Sequence, residues 1–268
     1  MAVAFLISGL VVLVLDLGRP DRLIVAMTTY NFKSIFAWNI FLYSGFAAIL
    51  VVYLWFMLDR TVSNYSKPVG VFAFLWRIIL TTGTGSIFGF LIARDAYGTA
   101  ILAPLFIIMS LLYGTVIYFL LLKVINYFQD TLMTDEVKDN LRKITIFFLF
   151  ANLYFLALYH ITNLYISKHY DYEVFILTAG GIYTIIFWIG QVLIGLLLPL
   201  YLLLNKNSNN ESNFMISSLL VVFGSFAAIY VIIISGQAFP LNIFNDYIIV
   251  ESSFYDNVIH DYLSLIHI

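Results

Sequence analysis

Seven long apolar runs, separated by short polar stretches, constrain this chain more than any other feature of its sequence. They lie at about residues 2–15, 35–58, 69–93, 99–122, 144–166, 176–204 and 214–235. About 20 apolar residues are needed to cross the hydrocarbon of a bilayer, where only helices and closed barrels satisfy every backbone polar group. We therefore predict an all-α, polytopic transmembrane helix bundle with about seven spans.

The first run, Ala2–Leu15, is shorter than a full span. A secretory signal peptide would have a basic segment before such a run and a small-residue cleavage site after it, and the sequence has neither. We predict that the run is a transmembrane helix, and we expect further helices to precede it in a longer protein.

The composition excludes an ordinary soluble protein and several kinds of site. Of the 268 residues, 62% are hydrophobic and 10% are charged, whereas soluble proteins carry roughly a quarter charged residues. A net charge of -2 without a basic run gives no reason to expect nucleic-acid binding. Because there is no cysteine, and His160 is the one histidine within a predicted span, we expect no iron–sulfur cluster, bis-histidine haem or other metal.

Lysine and arginine are more frequent in the loops after the second, fourth and sixth runs, which predicts that those loops are cytoplasmic. The opposite face, called the outer end below, then gathers the candidate binding residues. These are Asp16, Arg19, Arg94, Asp95, His160 and Gln237. A quinone fits this set, because its head needs hydrogen-bond donors and proton acceptors while its tail prefers lipid. His160 and Asp16 are the candidate proton acceptors, since imidazole titrates near neutrality.

Other polar residues within the runs have simpler interpretations. Arg77 is predicted to be a snorkelling or salt-bridged helix end, with Asp59 as the candidate partner, and a proton-path role is the less favoured alternative. Asn152 and Gln191 are predicted to tie neighbouring helices together by hydrogen bonds. The glycines of TTGTGSIFG predict a face where two helices pack closely.

Two other classes of function fit the same residues. A secondary transporter or ion channel would also collect charges around a cavity, and inverted repeats would favour it, although none is evident. A passive anchor for an iron–sulfur protein would bind no quinone analogue. The residues alone leave these alternatives open.

Several motifs spread over essentially the whole chain resemble one known family. They are LDLGRPDR, SIFAWNIFLYSGF, TTGTGSIFGFLIARDAYGTAILAPLFIIMS, YHITNLY, GGIYTIIFWIGQ and IIISGQAFPL. The chain resembles the NrfD/polysulfide reductase family of integral membrane subunits. Within that family it is most similar to the DsrP-type subunits of DsrMKJOP complexes, which are associated with dissimilatory sulfur metabolism.

The resemblance implies a quinone-binding subunit without haem in a respiratory oxidoreductase complex of the cell inner membrane. Its quinone would be menaquinone or ubiquinone, and its electrons would be exchanged with a ferredoxin-like iron–sulfur subunit on the outer face. Other membrane and haem-bearing subunits are implied as partners, with proton movement as an accompanying activity. The family motif would place Asp16, Gly18, Arg19 and Pro20 beside the quinone pocket.

The resemblance also implies that the sequence is a piece of a longer subunit. Family members have about ten helices, with at least one before the DLGRP motif, whereas this chain begins inside the helix that carries it. The segment Leu263–Ile268 matches the translation of an adapter used in DNA library preparation. We therefore expect one integral membrane domain over residues 1–262, incomplete at both ends, and exclude residues 263–268 from the fold.

Overall fold

The computed structural model describes residues 2–16, 28, 34–59, 61–129, 134–205 and 211–240, which are helical with turns and contain no strand. In chain order the helices are α1 (Ala2–Asp16), α2 (Ile35–Leu58), α3 (Ser66–Gly89), α4 (Leu102–Gln129), α5 (Asp135–Tyr165), α6 (Ser167–Val174), α7 (Ile182–Leu204) and α8 (Glu211–Ala238). Two helices change to π-helical geometry along part of their length, α7 over Ile186–Leu197 and α8 over Val231–Ser235.

The predicted class, an all-α polytopic helix bundle, is confirmed. Within the described residues, six helices are long and apolar enough to cross a membrane, namely α2, α3, α4, α5, α7 and α8. The first predicted span is helical, but α1 has 15 residues and is shorter than the ~20 that cross a bilayer without help. The bounds of α2 agree with the predicted run.

The third predicted span ends earlier than the sequence indicates. We expected it to reach about Ala93, but α3 ends at Gly89, and the chain turns back so that Gly98 donates its N–H to the Phe88 carbonyl. Gly98 has φ 88°, a left-handed conformation that glycine adopts without strain. Residues 90–101 therefore form a loop, and Arg94 and Asp95 lie in it rather than on a helix.

The sixth predicted span, 176–204, is wrong as a single helix. Gly181 has φ 54°, which interrupts the helical backbone between a π-helical turn (Phe175–Ala179) and α7. The polar residues between the fourth and fifth predicted runs are largely helical where the structure describes them, since α4 extends to Gln129 and α5 begins at Asp135. The acidic residues Asp135 and Glu136 suit that helix start, because they face its positive dipole end.

The described residues fall into two compact units, one up to Ile87 and the other from Phe88 onward. In the first unit, α1, α2 and α3 pack around Phe46, Leu50 and Leu80. Trp76 donates its indole N–H to the Leu42 carbonyl over 3.0 Å.

The predicted salt bridge between Arg77 and Asp59, both in the first unit, is replaced by other contacts. The Arg77 guanidinium lies 5.5 Å from the centre of the Phe46 ring, a cation–π contact. The Asp59 carboxylate accepts hydrogen bonds from the Thr61 amide and hydroxyl. These bonds hold the pKa of Asp59 below its usual value.

The second unit is a bundle of α4, α5, α7 and α8 with the short α6 at its outer end. The buried face of α5 carries residues spaced alternately four and three apart, as in a helix that packs against neighbours along one stripe: Thr145, Leu149, Asn152, Leu156, Tyr159 and Asn163. Helices α7 and α8 approach most closely at Gly195 and Gly224, where a Cβ on Gly195 would lie 2.9 Å from the Gly224 Cα.

Candidate functional site

A buried carboxylate paired with an imidazole lies at the outer end of the second unit. Glu173, on α6, has a fully buried side chain, and His160, on α5, is 12% exposed. The His160 Nδ1 lies 2.7 Å from the Glu173 Oε2. Asn163, one turn along α5 from His160, donates its side-chain N–H to the Glu173 Oε1 over 2.9 Å. Both carboxylate oxygens are therefore engaged.

Thr99 fixes the orientation of this group from the loop 90–101. Its hydroxyl donates to the Asn163 Oδ1 over 2.9 Å, so the Asn163 amide nitrogen must face Glu173. A buried carboxylate is costly unless it is paired and hydrogen-bonded, and here it is both. The chain of contacts from Thr99 through Asn163 and Glu173 to His160 is called the dyad network below.

The network also determines which nitrogen of His160 is available to a ligand. An ionised carboxylate only accepts hydrogen bonds, so the neutral imidazole carries its proton on Nδ1, facing Glu173. Within the described residues, Nε2 has no hydrogen-bond partner. The ring packs edge-on against Phe187 at 4.8 Å and Tyr159 at 5.0 Å between centroids. Nε2 is therefore a basic nitrogen in aromatic surroundings.

Side chains of α5 and α6 hold the loop 90–101 by its carbonyl oxygens. Three side chains donate hydrogen bonds to backbone carbonyls of the loop: Tyr159 to that of Ala96 over 2.9 Å, His169 to that of Asp95 over 2.6 Å, and Lys168 to that of Ile92 over 2.7 Å. His169 is itself buried. The loop that supplies Thr99 to the dyad network is therefore anchored to the helices that supply His160 and Glu173.

The outer end of α8 is attached to the same loop. The π-helical turn at Val231–Ser235 breaks the regular α-helical bonding, and the Ile232 carbonyl accepts the Tyr97 hydroxyl over 2.8 Å. Burial raises the pKa of Tyr97 to about 12, so the phenol remains a donor over the physiological range. Arg94 donates to the Gln237 backbone carbonyl over 2.9 Å.

Comparison with known proteins decides the family. The sequence profile described as polysulphide reductase, NrfD, matches residues 1–241. The chain belongs to the NrfD family. The prediction from the motifs is thereby confirmed at the level of the family, as is a multi-pass integral membrane protein.

Two relatives are similar over most of this NrfD chain. The Hdr-like menaquinol oxidoreductase integral membrane subunit of Archaeoglobus fulgidus is 27% identical over 248 residues, which are 90% of this chain and 61% of the relative. A selenate reductase subunit from Mesobacillus selenatarsenatis is 21% identical over 274 residues, covering 88% of this chain and 63% of the relative. The NrfD chain thus spans about three-fifths of the length of these relatives.

The structure brings together some of the predicted site residues of this NrfD chain. His160 belongs to the dyad network, while Arg94 and Gln237 meet through the Gln237 backbone. The Gln237 side chain is exposed. Asp95 contributes its carbonyl oxygen to His169. These contacts support a common location for four of the predicted residues at the outer end of one unit.

Three further predicted residues are Asp16, Arg19 and Arg77. The Asp16 side chain and all of Arg19 lie outside the described part of the chain. Arg77 is exposed and contacts Phe46 in the first unit. Among residues 2–16, 28, 34–59, 61–129, 134–205 and 211–240, no three histidine or carboxylate side chains gather as a metal site requires.

Sequence reasoning missed the partners of His160. Glu173 lies among polar residues just before an apolar run, and nothing in the sequence indicates that it is buried. Asn163 carried a usable signal, since residues three apart on a helix share a face and His160 was already singled out. Thr99 and Tyr97 carried none, because their contacts depend on how the loop 90–101 folds back.

Proposed function

We propose that this chain is the quinone-handling part of a membrane subunit of an oxidoreductase complex, in which His160 exchanges protons with the quinone head. The observation that carries the proposal is the buried Glu173 carboxylate, bonded at 2.7 Å to an imidazole that is still 12% exposed. Ionisable groups within a membrane bundle are costly and are commonly functional. The names of the two relatives, a menaquinol oxidoreductase subunit and a selenate reductase subunit, support this class of reaction.

We assign distinct roles to three residues of the dyad network. His160 presents Nε2 to the quinone head, where it accepts a proton from a quinol hydroxyl or returns one to a quinone oxygen. Glu173 stabilises the imidazolium that forms, and Asn163 holds the carboxylate in place. Phe187 supplies apolar surface beside the imidazole, which a quinone ring favours.

Electrons require a carrier that this sequence does not supply. Quinone and quinol interconvert by the exchange of both electrons and protons. Since the sequence has no cysteine, we propose that the carrier is an iron–sulfur cluster of a ferredoxin-like subunit docked at the outer end. Other membrane and haem-bearing subunits would complete the complex, with proton movement linked to the reaction.

We propose that the quinone pocket also includes the other residues predicted at the outer end. Arg94, Asp95 and Gln237 have backbone or side-chain contacts at the same end of the bundle as the dyad network, which supports their inclusion. Asp16 and Arg19 are proposed on the DLGRP motif alone.

The finer physiological assignment rests on the resemblance to DsrP-type subunits. It comprises dissimilatory sulfur metabolism, a position in the cell inner membrane, and menaquinone or ubiquinone as the carrier. The name of the Archaeoglobus relative, a menaquinol oxidoreductase subunit, favours menaquinone of the two.

The proposal is tested by His160→Phe in the full-length subunit within its native complex. Quinol-dependent electron transfer should fall by about 10²-fold or more, the contribution typical of a positioned acid–base group. Binding of a quinone analogue, followed by fluorescence quenching, should persist. Ile161→Phe is the matched control, because it puts the same ring at the next, exposed position of α5, and it should leave turnover near the wild-type rate.

Three results would contradict the proposal. Wild-type turnover in an assembled His160→Phe complex would remove His160 from the site. Failure of quinone analogues to bind or inhibit the native complex would favour a passive anchor. Uptake of a solute by vesicles that contain the complex, without quinone dependence, would favour a transporter.

A further inference from the structure

A small cavity lies inside the second unit, at the middle of its four spanning helices and apart from the dyad network. Its volume is about 10 Å³, and its polar lining comes from Tyr113 on α4, Asn152 on α5, Gln191 on α7 and Ser225 on α8. Asn152 and Gln191 are only 3% and 4% exposed. Four helices therefore each direct one polar side chain to the same enclosed point.

One of these groups is incompletely bonded. The Gln191 Oε1 is buried and has no hydrogen-bond partner among the described residues, although the sequence predicted an interhelical hydrogen bond for this amide. In a bilayer no lipid group can supply the missing donor, and a polar group left unsatisfied there is costly. A donor at this point would therefore be strongly favoured.

The cavity lies where α7 and α8 meet through two glycines. Gly195 and Gly224 line it, and a Cβ on Gly195 would lie only 2.9 Å from the Gly224 Cα. Gln191 and Gly195 also belong to the π-helical part of α7, whose wider turn changes the direction of its side chains. The Ser225 hydroxyl donates to the Val222 carbonyl, which leaves its oxygen able to accept.

We propose that this cavity binds one water molecule, which donates to the Gln191 Oε1 and bonds to Asn152, Tyr113 and Ser225. A buried water needs roughly 10–15 Å³ and about three polar partners, and the cavity offers both. No carboxylate lines it, so a bound cation would lack a balancing charge. A single neutral water is the ligand that the size and the lining select.

The water site is separate from the proposed quinone site. Phe187 lies about one turn from Gln191 on α7, and its ring contacts the His160 imidazole. None of the residues that line the cavity belongs to the dyad network. The inference consequently does not depend on the proposed function, and either can fail without the other.

X-ray hydroxyl-radical footprinting of the assembled complex tests this inference, because radicals formed from a bound water label the side chains beside it. Leu196 lines the cavity and is 4% exposed, whereas Leu200, on the same helix, is 8% exposed and does not line it. We expect Leu196 to be labelled several-fold faster than Leu200 despite its lower exposure. The variant Gln191→Leu should bring the two rates together.

A second variant keeps the test independent of whether Gln191→Leu assembles. Ser225→Ala removes one partner of the water and should lower the labelling of Leu196 relative to Leu200. If Leu196 is labelled no faster than Leu200 in the wild-type complex, no exchangeable water occupies the cavity and the inference is wrong. The inference is also wrong if the ratio of Leu196 labelling to Leu200 labelling is the same in the wild type and in both variants.

Discussion

The substitution Glu173→Gln tests whether the dyad network sets the tautomer of His160. The substitution preserves shape, so the amide oxygen can still accept from the Asn163 side chain. We expect the bond from Thr99 to the Asn163 Oδ1 to keep the amide in its present orientation. The new NH₂ group must then face the His160 Nδ1, which becomes an acceptor. The ring proton moves to Nε2, and the base that faces the quinone is lost.

The expected magnitude follows from the bond that is lost. A hydrogen bond to a charged group contributes about 1.5–3 kcal/mol, and we expect the bond from His160 to the Glu173 carboxylate to strengthen by about this amount when the imidazole becomes protonated. At about 1.4 kcal/mol per decade, quinol-linked turnover should fall roughly tenfold to a hundredfold. The wrong tautomer adds to the loss, as it does when the aspartate of a serine protease triad is replaced by asparagine.

The assay is quinol-dependent electron transfer by the full-length subunit in its complex, with complex assembly measured in parallel. Glu136→Gln is the matched control, since it removes the same charge from an exposed position at the other end of α5, and its rate should be unchanged. Glu173→Asp, which keeps the charge, should retain more activity than Glu173→Gln. Wild-type turnover in an assembled Glu173→Gln complex would refute the argument from the tautomer.

Three further predictions concern packing, pH and the DLGRP motif. Gly224→Ala should lower the free energy of unfolding by about 1–3 kcal/mol, seen as a lower melting temperature, because its Cβ would overlap Gly195. Gly114→Ala is the control, because the space around Gly114 is open, and it should leave the melting temperature unchanged. Burial raises the pKa of Tyr97 from 10.0 to about 12. The neutral phenol therefore contributes fully to stability below pH 10, and this contribution is lost as the pH rises through 12. In an alkaline unfolding titration, Tyr97→Phe should not show the loss of stability that ionisation of Tyr97 causes in the wild type. Asp16→Asn in the full-length complex should lower quinol-linked electron transfer while assembly remains intact, and unchanged turnover would remove Asp16 from the site.

The helix pattern was predictable because it depends on local composition. The run from Ile35 to Leu58 matches α2, since polar residues bound an apolar stretch of the right length. The interruption at Gly181 was not predictable in the same way. Glycine is common inside membrane helices, and only the fold shows that this one adopts φ 54°.

The candidate site was predictable only in part. His160 stood out because a histidine within an apolar run is unusual in any membrane helix. Glu173 gave no such signal, since its complete burial results from the way α6 packs beside α5. The partner of His160 is a glutamate 13 residues further along the chain, a contact that the sequence pattern does not predict.

Apolar runs and family motifs are properties of neighbouring residues, so they are enough to identify a helical membrane protein of the NrfD family. Which polar groups come into contact depends on the tertiary structure. Contacts such as Glu173 with His160, and the cavity beside Gln191, join residues that only helix packing brings together. Burial and hydrogen bonding depend on how several helices pack together, whereas the hydrophobic pattern is a property of each helix alone.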